Sequence, residues 1–411
     1  MKVAEMKKYA RLIAVKGIGV VNGDRVVIKA ELDQPKFVEY LTDACYRAGA
    51  EEVRVEWNHQ PLTKIHTAKQ RLHTLQRVEE WELAKLTHNA EVCPSIIYLM
   101  SEDPDGLTGI NQAKYSAAVQ ARAKVFKPIR DKMDNHYRWC IAAVPGTGWS
   151  KKVFPALRSS AAVEKLWEAI LYTSRADGDD PVAAWDAHNK NLSDKCARLN
   201  SLGLAELEYR SSNGTDFRVG LIPDADFLGG LEHTIEGKVY NPNIPSEEVF
   251  TSPMRGKAEG VVHSSRPLSY RGETIENFTL WFKDGKVVDH DAEKGKELLG
   301  QLLSMDEGAR YLGECALVPY DSPICRSGIT FYNTLFDENA CCHIALGRGF
   351  NETLRGYSGY TLSECKEKGI NDSIIHEDLM IGTEDLNITG ITSDGKRIPI
   401  FSNGNWAETL G

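Results

Sequence analysis

His376 and Asp378 lie two positions apart in "NDSIIHEDLMIG", inside an otherwise apolar run of Ile374, Ile375, Leu379, Met380 and Ile381. In a strand, residues i and i+2 face the same way. An imidazole and a carboxylate therefore share one face, while Glu377 between them turns to the other. Such a pair suits a divalent cation such as Zn²⁺, Mn²⁺ or Co²⁺, which takes imidazole and carboxylate ligands together.

Other acids and imidazoles keep similar company. Glu314 lies in "YLGECALVP", and His343 follows two thiols in "NTLFDENACCHIALGRG". Glu247 and Glu248 stand in "NPNIPSEEVFTSP", where a proline-rich loop turns into an apolar strand. Buried charges of this kind normally have partners or metals. Each also has a plainer reading. A single His in an apolar run is more often a core residue bonded to a carbonyl, and a Glu before a strand is usually solvated.

The elements that must position these groups divide the chain in two. At 411 residues it exceeds what one core usually organises. Residues 1–195 alternate short β-branched runs ("DRVVIKAEL", "EEVRVEW", "SIIYLMS", "RWCIAAV") with amphipathic stretches such as "PKFVEYLTDACYRAGA". That grammar predicts an α/β domain with a doubly wound, mostly parallel sheet. After a helical segment near 181–200, residues 196–411 become rich in Gly, Thr and Asn-Gly or Asp-Gly turns. They predict an α+β domain of largely antiparallel strands, with a helix over 291–310.

Charge and composition exclude several classes. A net charge of -9 with no basic run argues against a nucleic-acid partner. "KGIGVVNG" precedes the first strand, where a dinucleotide fingerprint must follow one, and "PGTGW" lacks the P-loop Lys-Ser/Thr, so it reads as a plain β-to-α turn. No stretch approaches the ~20 apolar residues of a membrane span. No membrane partner is expected, and the expected location is cytoplasmic. Nine cysteines without CxxC spacing, two of them adjacent at 341 and 342, point to reduced thiols.

Read in order, "IPSEEVFTSPMRGKAEGVV", "LGECALVP", "NTLFDENACCHIALGRG" and "NDSIIHEDLMIG" resemble the signature blocks of the thermophilic-type metalloaminopeptidases, the family of aminopeptidase T, aminopeptidase S and PepS. "GDRVVI", "WCIAAVP" and "GTDFRVGL" extend the likeness along the chain. The resemblance implies removal of N-terminal residues from peptides, a homodimer, and a pair of divalent ions, Zn²⁺, Co²⁺ or Mn²⁺. It implies the ligands Glu248, Glu314, His343, His376 and Asp378, and of these we assign Glu314 as the bridging ligand. Glu248 is preferred to Glu247 because the family's ligand directly precedes Val-Phe-Thr.

One position departs from the family. Seven residues after His343 the family carries a catalytic Tyr, whereas this chain has Phe350, and a phenyl ring cannot donate to an oxyanion. Tyr357, or Tyr360, is the nearby candidate for that role. The alternative is a metal-binding homologue, weakly active or non-catalytic, that binds peptides or amino acids. A second rival makes Cys341, Cys342 and His343 a thiol-based or redox site.

Overall fold

The computed structural model describes residues 2–410, which form two compact units. One unit runs through His188 and takes in Leu231–Ser246 and Arg271–Glu273; the other holds Asn189–Gly230, Glu247–Tyr270 and the chain from Thr274 onward.

In the first unit, strands β1 (Arg25–Glu31), β2 (Glu52–Asn58), β3 (Ser95–Met100), β4 (Trp139–Ala143) and β5 (Asn243–Ile244) form one sheet. Its order is β2-β1-β3-β4-β5 and every pairing is parallel. This is a doubly wound order. The four longer strands coincide with the four β-branched runs of the sequence; the interior strand β3 is apolar almost throughout because both its faces are covered, whereas the edge strand β2 alternates charged and apolar residues. The helix Pro35–Ala48 starts with Pro in its first turn and stops at Gly49, whose φ of 116° only glycine adopts without strain.

The second unit holds two antiparallel sheets, a nine-stranded one and a four-stranded one. Two hairpins of the larger sheet turn at Asp284-Gly285 and Asn403-Gly404, with all four φ angles positive as a type I′ turn requires. The helix expected over 291–310 is a correction. Lys286–Lys294 instead forms a strand paired with Glu273–Lys283, and the helix is confined to Lys296–Leu302. Hairpin pairing fixes the alternating run as β, and Gly295, at φ 79°, lets the chain leave the strand and enter the helix.

Candidate metal centre

The four-stranded sheet consists of β6 (Val249–Thr251), β7 (Leu312–Leu317), β8 (His343–Gly347) and β9 (His376–Met380), in that order. One face is mostly apolar, with Thr251 and Glu377 its polar members. Val249, Cys315, Leu317, Ile344, Leu346 and Leu379 all enter the core of the unit. Alternation then sends His343, Ala345, His376 and Asp378 to the opposite face. Register aligns Glu314, Ala345 and Asp378 in one row across three strands, and Phe250, Ala316, His343 and Met380 in the next. The small side chains of Ala345 and Ala316 leave space above the sheet between the larger polar groups.

Glu314 reaches this face through a β-bulge. Leu312 pairs with Leu346 but Glu314 pairs with Ala345, so the register shifts by one between them. Without that shift, Leu312 and Glu314 would both point into the core. The extra residue is Gly313, where an added Cβ would lie 2.2 Å from the Arg348 carbonyl oxygen. Bulges re-aim side chains in this way beside functional sites.

The five acids and imidazoles proposed from sequence converge. His376 Nε2 lies 3.2 Å from a Glu314 oxygen and 3.3 Å from Asp378 Oδ1. His343 Nε2 lies 3.2 Å from Glu248 Oε2 and 4.0 Å from Asp378 Oδ1. Glu248, Glu314 and His343 form one cluster with donor atoms all within 4.8 Å, and Glu314, His376 and Asp378 form another. Glu314 belongs to both. Glu247 does not enter either cluster; its amide donates to Asn339 Oδ1 at 2.6 Å, which anchors the loop carrying Glu248.

Both imidazoles are oriented from behind. With Nδ1–H donating, His343 bonds to the Glu338 carbonyl at 2.9 Å and His376 to the Arg348 carbonyl at 2.7 Å. Each Nε2 is thereby aimed at the carboxylates, an outer-shell arrangement typical of metal-binding histidines.

The electrostatics are those of a crowded, desolvated carboxylate site. Burial, with Glu248 and Asp378 close by, pushes Glu314 up to about 7 despite its bond to His376. Burial lowers His343, but Glu248, Glu314 and Asp378 together outweigh it and carry it to about 9. His376 is raised in the same way by Asp378 and Glu314. Asp378 is the ionised member, drawn to about 2 by the imidazoles against the effect of burial.

Sequence reasoning missed Glu338. It is buried, and burial together with Asp378, Glu248 and Glu314 holds its carboxyl well above the usual range. In that protonated form it donates to the Asp378 carboxylate. Asn339 Nδ2 donates to its Oε1 at 3.2 Å. The available signal was another acid in the block that supplies His343, five residues ahead of it.

The remaining candidates fall elsewhere. Phe350 lies against the site, its ring centroid 4.8 Å from that of His376 and 5.2 Å from that of Phe250. Tyr357 and Tyr360 pack instead on a satellite cluster of Ile222, Leu354, Cys365 and Ile370. Cys341 and Cys342 are buried with their thiols pushed up by desolvation, and Cys342 Sγ donates to the Val318 carbonyl at 3.3 Å. Such thiols are poor nucleophiles.

The donor set fits divalent cations. His343 Nε2 and Asp378 Oδ1 are buried and lack a hydrogen-bond partner in suitable geometry, although other donor atoms crowd the same space. Orphaned buried polar atoms are costly unless an ion or water completes them. Carboxylate oxygens with two imidazoles suit Zn²⁺, Mn²⁺ or Co²⁺ better than a thiolate-selecting metal.

Comparison with known proteins agrees with this chemistry. Residues 3–406 match the thermophilic metalloprotease family, M29. The chain belongs to the M29 metalloproteases. This M29 chain is 40% identical to aminopeptidase AmpS of Bacillus subtilis over 98% of each chain, and 38% identical to aminopeptidase T of Thermus thermophilus over 98% of each. The solved structure of wild-type AmpT from Thermus thermophilus superposes with a TM-score of 0.88 at 36% identity, covering 98% of this chain and 99% of that one. The M29 chain is thus a hydrolase whose family uses a divalent metal.

Proposed function

We propose that this M29 enzyme removes single residues from the N-terminus of peptides, using two divalent ions held by Glu248, Glu314, His343, His376 and Asp378. The observation that carries the reading is the sharing of Glu314 between two three-residue donor clusters, the arrangement a bridging carboxylate needs. All five lie in residues 196–411, which we take as the catalytic domain. Divalent ions bound there would polarise the scissile carbonyl and lower the pKa of a water.

The chain's own groups supply the rest. His343 and His376 are held in one tautomer by the carbonyls of Glu338 and Arg348. Glu338 holds its proton beside Asp378 in the ion-free site; divalent ions held nearby would release it, and the resulting carboxylate is the group placed to accept a proton as the water attacks and pass it to the leaving amine. The peptide's free α-amine, as the neutral base, would be received at the ions that Glu248, Glu314 and Asp378 help to hold, which limits cleavage to the first residue.

A weakly active homologue is the second reading, favoured by Phe350, which offers the site a ring and no hydroxyl. Metal stripping followed by single-metal add-back, assayed on a panel of aminoacyl amides and on N-acetylated controls, separates the two. Cleavage restored by Zn²⁺, Co²⁺ or Mn²⁺ and abolished by acetylation supports the exopeptidase. Metal binding without cleavage of any panel member sinks it.

We also propose a homodimer located in the cytoplasm. Among the described residues no helix is long and apolar enough to cross a membrane. All nine cysteines are free, which suits a reducing compartment.

A further inference from the structure

In the parallel sheet the chain passes from β1 to β2 on one side and from β3 to β4 on the other, so the neighbours β1 and β3 have connections that run in opposite directions. Sheets of this kind bind ligands in the crevice that such a switch opens beyond the carboxyl ends of the strands. A cavity of about 290 Å³ lies there, lined by Lys29, Glu31, Glu56, Asn58, Tyr98 and Glu102 among others. Glu31 and Asn58 are the last residues of β1 and β2, and Glu102 follows the end of β3 by two residues.

Alternation puts Lys29 and Glu31 on one face of β1, their Cα atoms about 7 Å apart. Register sets Glu56 and Tyr98 beside Lys29, and Asn58 beside Glu31. Nearer the start of the strands, Val27 and Ile96 on the same face are buried with Met133, so apolar packing gives way to the cavity at the row of Lys29. The mouth is fixed from above. The Gln60 side chain exchanges two hydrogen bonds with the Asp103 backbone, Nε2 to the carbonyl at 2.9 Å and the amide to Oε1 at 3.2 Å. Gly106 lies so close that an added Cβ would sit 2.1 Å from Gln60 Oε1. The loops after β2 and β3 are thereby tied together, and the cavity is preformed.

Two opposite charges in it are left without partners. Glu31 is 8% exposed and uses one oxygen only, Oε2 accepting from the Gln60 amide at 3.2 Å. Among the described residues, Glu31 Oε1 accepts no hydrogen bond and the Lys29 ammonium makes neither a hydrogen bond nor an ion pair; it stands 5.0 Å from the centre of the Tyr98 ring. Glu56, by contrast, is paired with Lys85 at 2.8 Å, and Glu102 Oε2 accepts from the Ser101 amide at 2.9 Å. Burial raises both Glu31 and Glu102, and Glu31 adds to the rise of Glu102. A cationic group beside them would offset both effects.

We propose that this cavity binds the zwitterionic head of a free α-amino acid, with its ammonium on Glu31 and Glu102 and its carboxylate on Lys29. A simple anion would meet three carboxylates, and a simple cation would leave Lys29 unpaired. An ammonium and a carboxylate on one carbon, each about 2.8 Å from its partner, suit charged side chains two residues apart on a strand. The site lies wholly within the first unit, whereas all five proposed metal ligands belong to the second. Binding there stands without the exopeptidase reading; with it, the ligand is the class of molecule that the reaction releases.

Calorimetry of the full, metal-loaded chain tests it, titrated in turn with glycine, leucine, lysine and glutamate and repeated after chelation to remove binding at the metal centre. One equivalent of at least one amino acid per chain is expected to survive chelation. Its N-acetyl derivative, which lacks the ammonium, and its decarboxylated amine are each expected to bind at least about tenfold more weakly. Lys29→Met and Glu31→Gln should weaken the amino acid by a similar factor while peptidase activity per chain stays at the wild-type level. Lys29→Met removes a group with no partner to lose, so it carries the test if Glu31→Gln does not fold. Binding that no panel member retains after chelation, an analogue as tight as the parent, or wild-type affinity in Lys29→Met each overturns the site. Retained binding in a chain that cleaves no peptide sinks the exopeptidase reading and leaves the site standing.

Discussion

Glu248 and His343 meet across a strand that contributes only a methyl group between them. Glu248 precedes β6 and His343 begins β8; on the intervening β7, Ala316 aligns with both Phe250 and His343. The Oε2 to Nε2 separation is 3.2 Å. A larger side chain at Ala316 would fill the space that the two donors share.

The two imidazoles therefore respond differently to removal. His343 is fully buried, so His343→Ala leaves Glu248 without its partner in a desolvated site and is expected to cost about 3 kcal/mol of stability. His376 is a quarter exposed, but Glu314 and the Asp378 oxygen Oδ1 beside it are buried, so His376→Ala is expected to cost stability as well, by less than His343→Ala. Both are expected to lose peptidase activity by more than ~10²-fold, since even outer-shell changes cost 10–100-fold. Thermal melts beside activity after metal add-back provide the check; a fully active His376→Ala enzyme overturns the ligand assignment.

Metal affinity should depend on pH in a window set by the ligands themselves. Without metal, Glu314 holds its proton up to about 7 and His343 to about 9. Both must give up those protons to ligate. Affinity is therefore expected to climb as pH rises from about 6 through about 9, with His376, also raised, adding to the same trend. Calorimetry in buffers of different ionisation enthalpy should detect proton release on binding at pH 7. Binding with no proton release there contradicts the proposed donor set.

Phe350 makes a direct test of the missing hydroxyl. Its ring already contacts that of His376, so Phe350→Tyr adds a donor at the edge of the site with little change in packing. If the role is unfilled in this chain, kcat should rise with KM nearly unchanged, by as much as ~10² for a well-placed oxyanion donor. Tyr357→Phe should have little effect, because Tyr357 packs on the satellite cluster around Leu354. A large loss of kcat in Tyr357→Phe would instead reinstate it as the donor.

How far the sequence revealed this site depended on what each signal could encode. His376 and Asp378 were legible because a period of two in an apolar run fixes the face that both share. The four longer strands of the parallel sheet were legible as short β-branched runs, nearly unbroken in the covered strand β3 and alternating with charge in the edge strand β2. Glu314 is a harder case. Simple alternation from Leu312 sends it into the core, and only the bulge at Gly313, a tertiary fit against the Arg348 carbonyl, turns it to the site. The region 291–310 misled because acidic and apolar spacing there allows a helix until the hairpin partner is known. Glu338 was hidden for another reason: it neighbours Asp337 and Asn339 in a polar run, and nothing local says that the run is buried.

Glu338 is the group whose role the structure sharpens most. Its side chain lies beside Asp378 and keeps its proton well above the ordinary carboxylic range, because ionising it would bury another negative charge near Glu248, Glu314 and Asp378. Cation binding nearby would offset that repulsion and release the proton, leaving a carboxylate positioned to carry it between water and leaving amine. Glu338→Gln keeps the size and the donor that Asp378 requires but cannot take a proton. It is expected to bind metal with affinity within a few-fold of wild type and to lose ~10²–10⁴ in kcat, the range for general acid–base catalysis. Equal losses in metal affinity and activity would make Glu338 a ligand and not a proton carrier. Unchanged kcat would leave it a structural partner of Asp378.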